Sequence, residues 1–340
     1  QMEPLPSAAL AGLTPPEVHV QFHDDRMEPI PYDDPVDLVA ISVETYTARR
    51  AYQIASEYRA RSVPVVMGGF HATLCPDEVA RYAEAVVEGE AETVWPQLID
   101  DFRHGCLQSR YAAADRPGLA GVRYDRSIFA GRRYLPVGLV ETGRGCRFRC
   151  EFCAVQRFFA ASHRARPIDD VVAEIRARRE QVRLFFFIDD NFAADIGAAK
   201  ELLRALVPLR IRWVTQMSIN AAHDEEFLQL LRDSGCQGVL IGLESLEPAN
   251  LRQMKKSFNT TRGGYQAAVA NLRRHGIRIY ATFVFGYDQD TPQSARESAD
   301  FAIEQRFFIT AFNHLTPFPG TPLYERLLRE GRFTHPQWWL

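Results

Sequence analysis

The stretch Gly145-Cys-Arg-Phe-Arg-Cys-Glu-Phe-Cys153 places three cysteines, Cys146, Cys150 and Cys153, within eight residues. The other three cysteines are scattered along the chain and are expected to be buried thiols, the usual environment of a free cysteine. A chain of 340 residues can build hydrophobic cores without disulfides, so crosslinking is a poor explanation of the spacing. The three clustered cysteines therefore indicate a role other than disulfide formation.

The cysteine stretch directly follows a short apolar run, Val137–Val140, which is predicted to be a strand. Enzymes built on βα barrels carry their sites on loops that follow strands. Three thiolates with no fourth cysteine nearby indicate an iron–sulfur cluster with one iron open to a small molecule, because full ligation normally takes four ligands. Two alternatives remain: a zinc site completed by His163, whose spacing fits common zinc sites poorly, and three unrelated thiols.

Strands and helices alternate along both halves of the chain. Three early strands alternate with helices, which is typical of a doubly wound Rossmann-like sheet, and six later βα units predict a partial barrel. The sequence therefore predicts an α/β protein with a Rossmann-like domain over 1–106, a linker over 107–136 and a partial (β/α)6 barrel over 137–340. The candidate barrel strands are 137–140, 184–188, 211–216, 238–241, 280–285 and 309–315.

The spacing Cys-x3-Cys-x2-Cys after the first strand of a six-unit barrel resembles the radical S-adenosylmethionine (SAM) superfamily. In that family a [4Fe–4S] cluster chelates SAM through its open iron, and an injected electron cleaves SAM to a 5′-deoxyadenosyl radical. The resemblance covers about 137–320 and implies that Cys146, Cys150 and Cys153 hold the cluster. It also implies that Phe152 lies near the adenine and that an electron donor such as flavodoxin or ferredoxin is a partner.

Polar residues end the next barrel strands. Asp189 and Asp190 follow the second strand, where the family places groups that receive the ammonium of SAM, and a buried ammonium requires acceptors. Gln216 and Ser218 end the third strand, and Glu244, followed by Ser245, resembles the ribose-binding and substrate-facing positions after the fourth. Two alternatives remain. One of the residues that follow the second strand, 189–191, would cap the next helix, and Glu244 would be only a surface charge.

Three loops of the first domain follow strands and so share the carboxyl edge of one sheet, where doubly wound folds bind ligands. Their motifs resemble the "GGxHxT" and "GE" loops of the cobalamin-binding branch of radical SAM enzymes, in which the corrin lies between the Rossmann-like domain and the barrel mouth. This chain lacks the Asp-x-His-x-x-Gly sequence that supplies a lower cobalt ligand elsewhere, and a first strand before Leu13 is not evident. The implied cofactor-binding residues are Ser42, Thr45, Gly68, Gly69, His71, Gly89 and Glu90.

Composition and charge disfavour several classes of partner. Forty Lys and Arg against forty-three Asp and Glu give a net charge of −3, which makes nucleic acid an unlikely ligand. No apolar run approaches the roughly 18 residues of a membrane span, and no secretory signal is visible, so a cytoplasmic location is expected. The chain lacks an initiator Met, which is what a trimmed chain would show.

The resulting expectation is a radical SAM, cobalamin-dependent methyltransferase that acts on an unactivated carbon or phosphinate centre of a small molecule. Two other readings of the first domain stay open: His71 as a capping or satisfied loop histidine, and a vestigial domain without corrin. In the second case the enzyme would form a C–C or C–heteroatom bond or transfer another fragment of SAM, such as its aminocarboxypropyl group. A non-enzymatic cluster-carrying scaffold would explain the cysteines but not the polar strand ends.

The cysteine assignment predicts a clear division among the six thiols. Replacing Cys146, Cys150 or Cys153 with Ala should abolish a cluster of about four irons and four sulfides, because each thiolate holds one iron. Replacing Cys75, Cys106 or Cys236 should leave it intact. Iron and sulfide analysis after anaerobic reconstitution measures both sets, and stoichiometric zinc without iron would overturn the assignment.

Overall fold

The computed structural model describes residues 1–340, which form two compact units. Unit 1 comprises residues 1–135, 318–320 and 324–340, and unit 2 comprises residues 136–317 and 321–323. No helix is both long enough and apolar enough to span a membrane. The division differs from the sequence-based boundaries. Nearly all of the predicted linker (107–136) belongs to unit 1, and so do residues 318–320 and the C-terminal segment, 324–340.

Unit 1 is built on a parallel four-stranded sheet with strand order β1-β2-β3-β4. Three of the strands coincide with the short apolar runs that the sequence suggested, and β4 lies in the stretch predicted to be a linker. The strands are β1 (Val39–Ser42), β2 (Val65–Gly68), β3 (Ala85–Glu88) and β4 (Arg110–Ala112). The helices are α1 (Leu5–Leu13), α2 (Ala48–Ala60), α3 (Phe70–Leu74), α4 (Pro76–Val79) and α5 (Trp95–Arg103).

Helices cover both faces of this sheet. Val65 and Met67 of β2 pack with the buried residues of α2 in one apolar cluster. Val66, which points to the opposite face because side chains alternate along a strand, packs with Trp95 and Leu98 of α5 in a second cluster. The doubly wound arrangement predicted from the sequence is therefore confirmed.

The C-terminal segment is fixed in unit 1 by the carboxylate of Glu78, which is 8% exposed. Glu78 accepts hydrogen bonds from the hydroxyl of Tyr52 (2.7 Å) and from Trp339 Nε1 (2.8 Å) and Gln337 Nε2 (2.7 Å), and His71 Nε2 lies 3.2 Å away. Assigning all of 137–340 to the barrel was therefore wrong. Gln337 and Trp339 are more than 250 positions from Glu78 in the chain, so no local pattern could reveal these two contacts.

Glu78 is expected to stabilise unit 1 in a pH-dependent way. Burial alone raises its pKa, but the hydrogen bonds from His71, Trp339, Tyr52 and Gln337 outweigh burial and lower it to about 2. Because the folded-state pKa is depressed, the stabilisation is fully present above about pH 4.5 and is lost as the pH falls towards 2. Glu78→Gln should therefore lower the free energy of unfolding at pH 7 by roughly 3 kcal/mol, measured by urea denaturation followed by circular dichroism.

The matched control is the neighbouring residue Asp77, whose side chain is 92% exposed and pairs with Arg110 at the surface. Asp77→Asn should change the free energy of unfolding by less than about 1 kcal/mol, because exposed ion pairs contribute little. Equal losses in the two variants would contradict the assigned role of Glu78.

Unit 2 contains a parallel six-stranded sheet with order β12-β11-β10-β9-β8-β5, and a two-stranded antiparallel ribbon, β6-β7. The strands are β5 (Val137–Val140), β6 (Gly143–Gly145), β7 (His163–Ala165), β8 (Leu184–Phe187), β9 (Trp213–Gln216), β10 (Cys236–Glu244), β11 (Arg278–Phe285) and β12 (Ile309–His314). The helices, the last of which extends beyond unit 2, are α6 (Ala154–Phe158), α7 (Ile168–Arg178), α8 (Ile196–Leu206), α9 (Glu225–Asp233), α10 (Pro248–Gln253), α11 (Gly264–Arg274), α12 (Pro292–Glu304) and α13 (Pro322–Arg329).

The predicted six-strand partial barrel is confirmed, since the six candidate strands form one continuous parallel sheet. Its core packs apolar strand residues such as Phe187 and Trp213, whose rings stack at 4.5 Å, against α7, α8, α9 and α11. Asp195 and Asp224 cap the N-termini of α8 and α9 by accepting backbone hydrogen bonds. The β6-β7 ribbon was not predicted, because its residues carry no strand pattern.

Candidate active site on the cysteine loop

The cysteine loop, residues 145–153, begins at a position that only glycine can occupy. Gly145 has φ +83°, and a Cβ there would lie 2.2 Å from the carbonyl oxygen of Ser162. This close approach is part of the β6-β7 ribbon, in which Gly145 pairs with His163. The ribbon therefore fixes the backbone immediately before Cys146.

Two carboxylates at the end of β8 hold the start of this loop. Asp189, which is 3% exposed, accepts hydrogen bonds from the backbone N–H groups of Thr142 (2.7 Å) and Gly143 (3.1 Å) and from the hydroxyl of Thr142. Asp190 accepts one from the N–H of Gly145 at 2.8 Å. Burial raises the pKa of Asp189 to about 7 and that of Asp190 to about 6, while the hydrogen bonds oppose the rise.

The far end of the loop is held by two backbone hydrogen bonds and a ring contact. The N–H of Glu151 donates to the carbonyl of Met254 (3.1 Å), and its carbonyl accepts from the N–H of Leu323 (3.1 Å). The rings of Phe148 and Phe258 stack with their centroids 4.3 Å apart. The cysteine loop is thus anchored at both ends before any ligand binds.

Asn191 connects this loop to the end of β9. Its amide nitrogen lies 3.6 Å from Cys146 Sγ and 3.1 Å from the hydroxyl oxygen of Ser218, and its amide oxygen accepts the backbone N–H of Ser218 at 3.1 Å. Gln216 makes a parallel connection, because its side-chain amide donates to the carbonyl oxygen of Asp189 at 2.8 Å. Asn191 and Gln216 thereby join the segment that follows β5 to the ends of β8 and β9.

The end of β10 adds a buried ion pair. Glu244 has φ +67°, unusual for a residue with a side chain, and the pairing register with β11 shifts between Gly242 and Glu244. Its carboxylate lies 2.7 Å from Lys256 Nζ, which also donates to the carbonyl of Gly242. Burial alone lowers the pKa of Lys256, but the charge of the Glu244 carboxylate and its hydrogen bond oppose burial and the net shift is upward, so the side chain stays a protonated ammonium.

Cys150 and Cys153 lie near enough to the other thiols of the loop for their ionisation to be affected. Burial raises the pKa of Cys150 to about 12, with the Lys256 ammonium opposing and the Cys153 and Cys146 thiols reinforcing the shift. Burial also raises the pKa of Cys153. Burial thus favours the thiol form of Cys150 and Cys153, and metal binding would displace their protons.

This donor set fits a [4Fe–4S] cluster better than a single zinc ion. No group of three or more His, Cys, Asp and Glu side chains is arranged to hold one metal ion. A cluster requires each thiolate to bind a different iron, and its ligands need not converge on one point. Three cysteines on one anchored loop meet that requirement.

The three predicted cofactor loops of unit 1 are joined at the carboxyl edge of its sheet. Gly68 ends β2, and the segment that follows it includes Thr73. The Thr73 hydroxyl donates to the carbonyl of Gly69 (2.9 Å) and accepts a hydrogen bond from the N–H of Gly89 (2.8 Å) in the next loop. Gly69 has φ +99°, and a Cβ there would lie 2.9 Å from the carbonyl oxygen of Val43, so this glycine serves the packing of the loops themselves. Ser42, at the end of β1, is exposed.

Other members of this predicted set are engaged within the protein. His71 is fully buried, with Nδ1 3.3 Å from the hydroxyl of Thr45 and Nε2 near Tyr52 and Glu78, as the satisfied-histidine alternative expects. Glu90 pairs with Arg116 at 3.4 Å. Glu44, which the sequence did not single out, has its pKa raised to about 7 by burial.

Comparison with known proteins decides the family. The Radical SAM superfamily matches residues 140–302 of the chain. The chain is 34% identical to bacteriochlorophyllide d C-12(1)-methyltransferase of Chlorobaculum tepidum over 98% of its own length and 75% of that protein. The chain belongs to the radical SAM superfamily. It is also 30% identical to bacteriochlorophyllide d C-8(2)-methyltransferase of the same organism, with 97% of this chain and 77% of that protein covered.

A solved structure supports the same fold. The radical SAM methyltransferase TsrM from Kitasatospora setae, determined with cobalamin and a [4Fe–4S] cluster, matches with a TM-score of 0.71 and 21% identity. The match covers 88% of this chain and 68% of TsrM. Radical SAM enzymes use a [4Fe–4S] cluster together with SAM, and both are therefore cofactors of this enzyme.

The structure brings the predicted SAM residues of this radical SAM enzyme to one edge of the barrel sheet, but most of their side chains bind protein groups. Asp189 and Asp190 bind the backbone before the cysteines. Gln216 donates to the backbone carbonyl of Asp189, and Ser218 and Glu244 each have a side-chain partner. Phe152 is half-buried and packs against the core of unit 2. Their roles in SAM binding stay predictions.

Sequence reasoning missed Lys256 and did not assign a role to Asn191. Lys256 is 8% exposed, whereas the adjacent Lys255 is exposed, and nothing in the sequence distinguishes the two. Asn191 directly follows the two acidic residues, so its position beside them was the only available signal.

The contacts of Asp189 predict a result that differs from a simple SAM-binding role. Asp189→Ala should reduce the iron content as well as SAM binding, because it leaves three buried donors of Thr142 and Gly143 without their acceptor. Leaving a buried donor without its acceptor costs roughly 1–3 kcal/mol. Iron analysis and thermal unfolding measure this, with Asp224→Ala, at the half-buried cap of α9, as the control that keeps its iron. Full iron content with weakened SAM binding would instead indicate direct contact with SAM.

Proposed function

We propose that this radical SAM enzyme is a cobalamin-dependent methyltransferase that acts at an unactivated carbon of a small molecule. The observation that carries the proposal is the presence, in one chain, of the anchored three-cysteine loop and a Rossmann-like parallel sheet. The two Chlorobaculum relatives support it, because both are named as methyltransferases and both names place the methyl group on a numbered carbon.

Cys146, Cys150 and Cys153 would hold the cluster. When bound, the cluster supplies the electron that cleaves SAM to a 5′-deoxyadenosyl radical, and methylcobalamin supplies the methyl group. The chain's own residues prepare this site: Asp189 and the neighbouring Asp190 fix the backbone before the first cysteine, so little reorganisation is needed when ligands bind.

The corrin would bind against the carboxyl edge of the unit 1 sheet. The exposed end of β1 at Ser42 and the open space around Gly89, where a Cβ would have no neighbour within 4 Å, leave room for a large flat ligand. The buried ring of His71 is engaged by protein groups at both nitrogens, so this histidine would not be available as a ligand of the corrin.

An external protein would supply the electron. Arg149 and Arg157, on and just after the cysteine loop, are exposed and suit an acidic donor such as flavodoxin or ferredoxin. A small-molecule substrate accords with the net charge of −3, which disfavours nucleic acid. Two tetrapyrrole-modifying relatives make bacteriochlorophyllide d a sensible first probe.

Corrin binding provides the test of this proposal. Reconstituted protein incubated with hydroxocobalamin and desalted should retain the corrin, seen by its absorbance, and should form 5′-deoxyadenosine from SAM after reduction. Ser42→Phe should lower corrin retention at least about tenfold, because a bulky ring at an exposed strand end blocks the approach of the ligand. Ser56→Phe adds the same ring at an exposed position of α2 and should leave retention unchanged.

Methyl transfer is tested in the same preparation with methyl-labelled SAM and bacteriochlorophyllide d as acceptor probe, and label in any acceptor carbon supports the proposal. If SAM is cleaved but no corrin is retained, unit 1 is a vestigial domain. The enzyme would then form a C–C or C–heteroatom bond or transfer another fragment of SAM. If no SAM is cleaved although the cluster is intact, the cluster-carrying scaffold becomes the better explanation.

A further inference from the structure

We propose that Asn191 is a positioning residue for the cluster, whose amide N–H group donates to Cys146 and raises the reduction potential of the cluster. The inference rests on the proposed assignment of Cys146 as a cluster ligand. Asn191 is 3% exposed, and its amide nitrogen lies 3.6 Å from the sulfur.

The orientation of this amide is determined by its other partner. Asn191 Oδ1 accepts the backbone N–H of Ser218 at 3.1 Å. A backbone N–H can only donate, so the oxygen must face Ser218 and the nitrogen must face Cys146. The same nitrogen donates to the hydroxyl of Ser218 at 3.1 Å, which holds the side chain in one rotamer.

The position of Cys146 is fixed as well, so the contact does not depend on a mobile loop. Asp189 and Asp190, the two residues before Asn191, hold the backbone of Thr142, Gly143 and Gly145 immediately before this cysteine. Residues 189–191 therefore bind the backbone at the start of the cysteine loop and place a hydrogen-bond donor next to the sulfur of Cys146.

The electrostatic consequence follows from the direction of the hydrogen bond. An N–H group that points at a thiolate stabilises negative charge on the sulfur, and the reduced cluster carries one more negative charge than the oxidised cluster. The reduced state therefore gains more from the contact, and burial of the amide strengthens the effect. Removing the donor should make the cluster harder to reduce.

The test is an EPR-monitored redox titration of reconstituted protein without SAM, which measures the cluster and not turnover. Asn191→Asp keeps an acceptor for Ser218 but replaces the donor towards Cys146 with an acceptor, and Asn191→Leu removes both groups at similar volume. In each variant the ratio of reduced to oxidised cluster at a fixed potential should fall about tenfold, a shift of about −59 mV for a one-electron couple.

Two controls separate this effect from general damage. Ser218→Ala keeps the backbone donor that orients Asn191 and should shift the ratio less than about threefold. Asn271→Leu removes an amide on α11 that donates to the carbonyl of Ala222 and should not shift it at all. If Asn191→Leu does not assemble a cluster, Asn191→Asp decides the outcome, with Asn191→Ser as the further variant.

Equal midpoint potentials in the wild-type enzyme and the Asn191 variants would overturn the inference while leaving the proposed function intact. A wild-type protein that assembles no cluster would instead overturn the cluster assignment itself. The two failures are distinguishable, because the first gives a normal EPR signal at an unshifted potential and the second gives no signal.

Discussion

The buried carboxylate of Asp189 is the acceptor on which the geometry of the barrel site depends. It receives two backbone N–H groups and a hydroxyl from Thr142 and Gly143, and so joins the segment after β5 to the end of β8. The pairing register explains the contact: Val140 lies opposite Phe187, and the residues two positions further along each strand are Thr142 and Asp189. The ribbon, the glycine before the first cysteine and the contact of Asn191 with Cys146 all follow from this junction.

The polar side chains at the other strand ends of the barrel are also held by hydrogen bonds to neighbouring segments. Each side chain finds a partner on a neighbouring strand or on the segment that follows it, as Gln216 does with the carbonyl of Asp189 and Glu244 with Lys256. Buried polar groups that are hydrogen-bonded to one another are held in place before ligands bind. The Glu244–Lys256 pair adds a protonated ammonium near Cys150, which favours negative charge on the cysteine loop. A site for an anionic iron–sulfur cluster is consistent with such surroundings.

The residues of unit 1 that the sequence singled out fall into two groups, one buried in the protein and one at the open edge of the sheet. His71 and Glu78 form a buried network that holds the C-terminal Trp339, whereas Ser42 and Gly89 leave the carboxyl edge of the sheet open. The predicted cofactor residues of unit 1 thus differ in their surroundings: His71 is buried among protein groups, whereas Ser42 is exposed at the end of β1. Gly69 serves the packing of the loops, because its positive φ lets the loop after β2 pack directly against the backbone of Val43.

The sequence alone determined most of the strands, and it predicts the chemistry of the cysteines. Apolar runs and helical spacing depend on near neighbours in the chain, so six barrel strands, three strands of unit 1 and the Cys-x3-Cys-x2-Cys loop could be predicted. The short β4 and the β6-β7 ribbon carry no such pattern and could not. Only the tertiary structure decided what Asp189, Asn191, Lys256 and Trp339 contact, because these partners are 12 to 261 positions away and meet through strand register and packing. Local periodicity holds no information about which distant groups a folded chain brings within hydrogen-bonding distance.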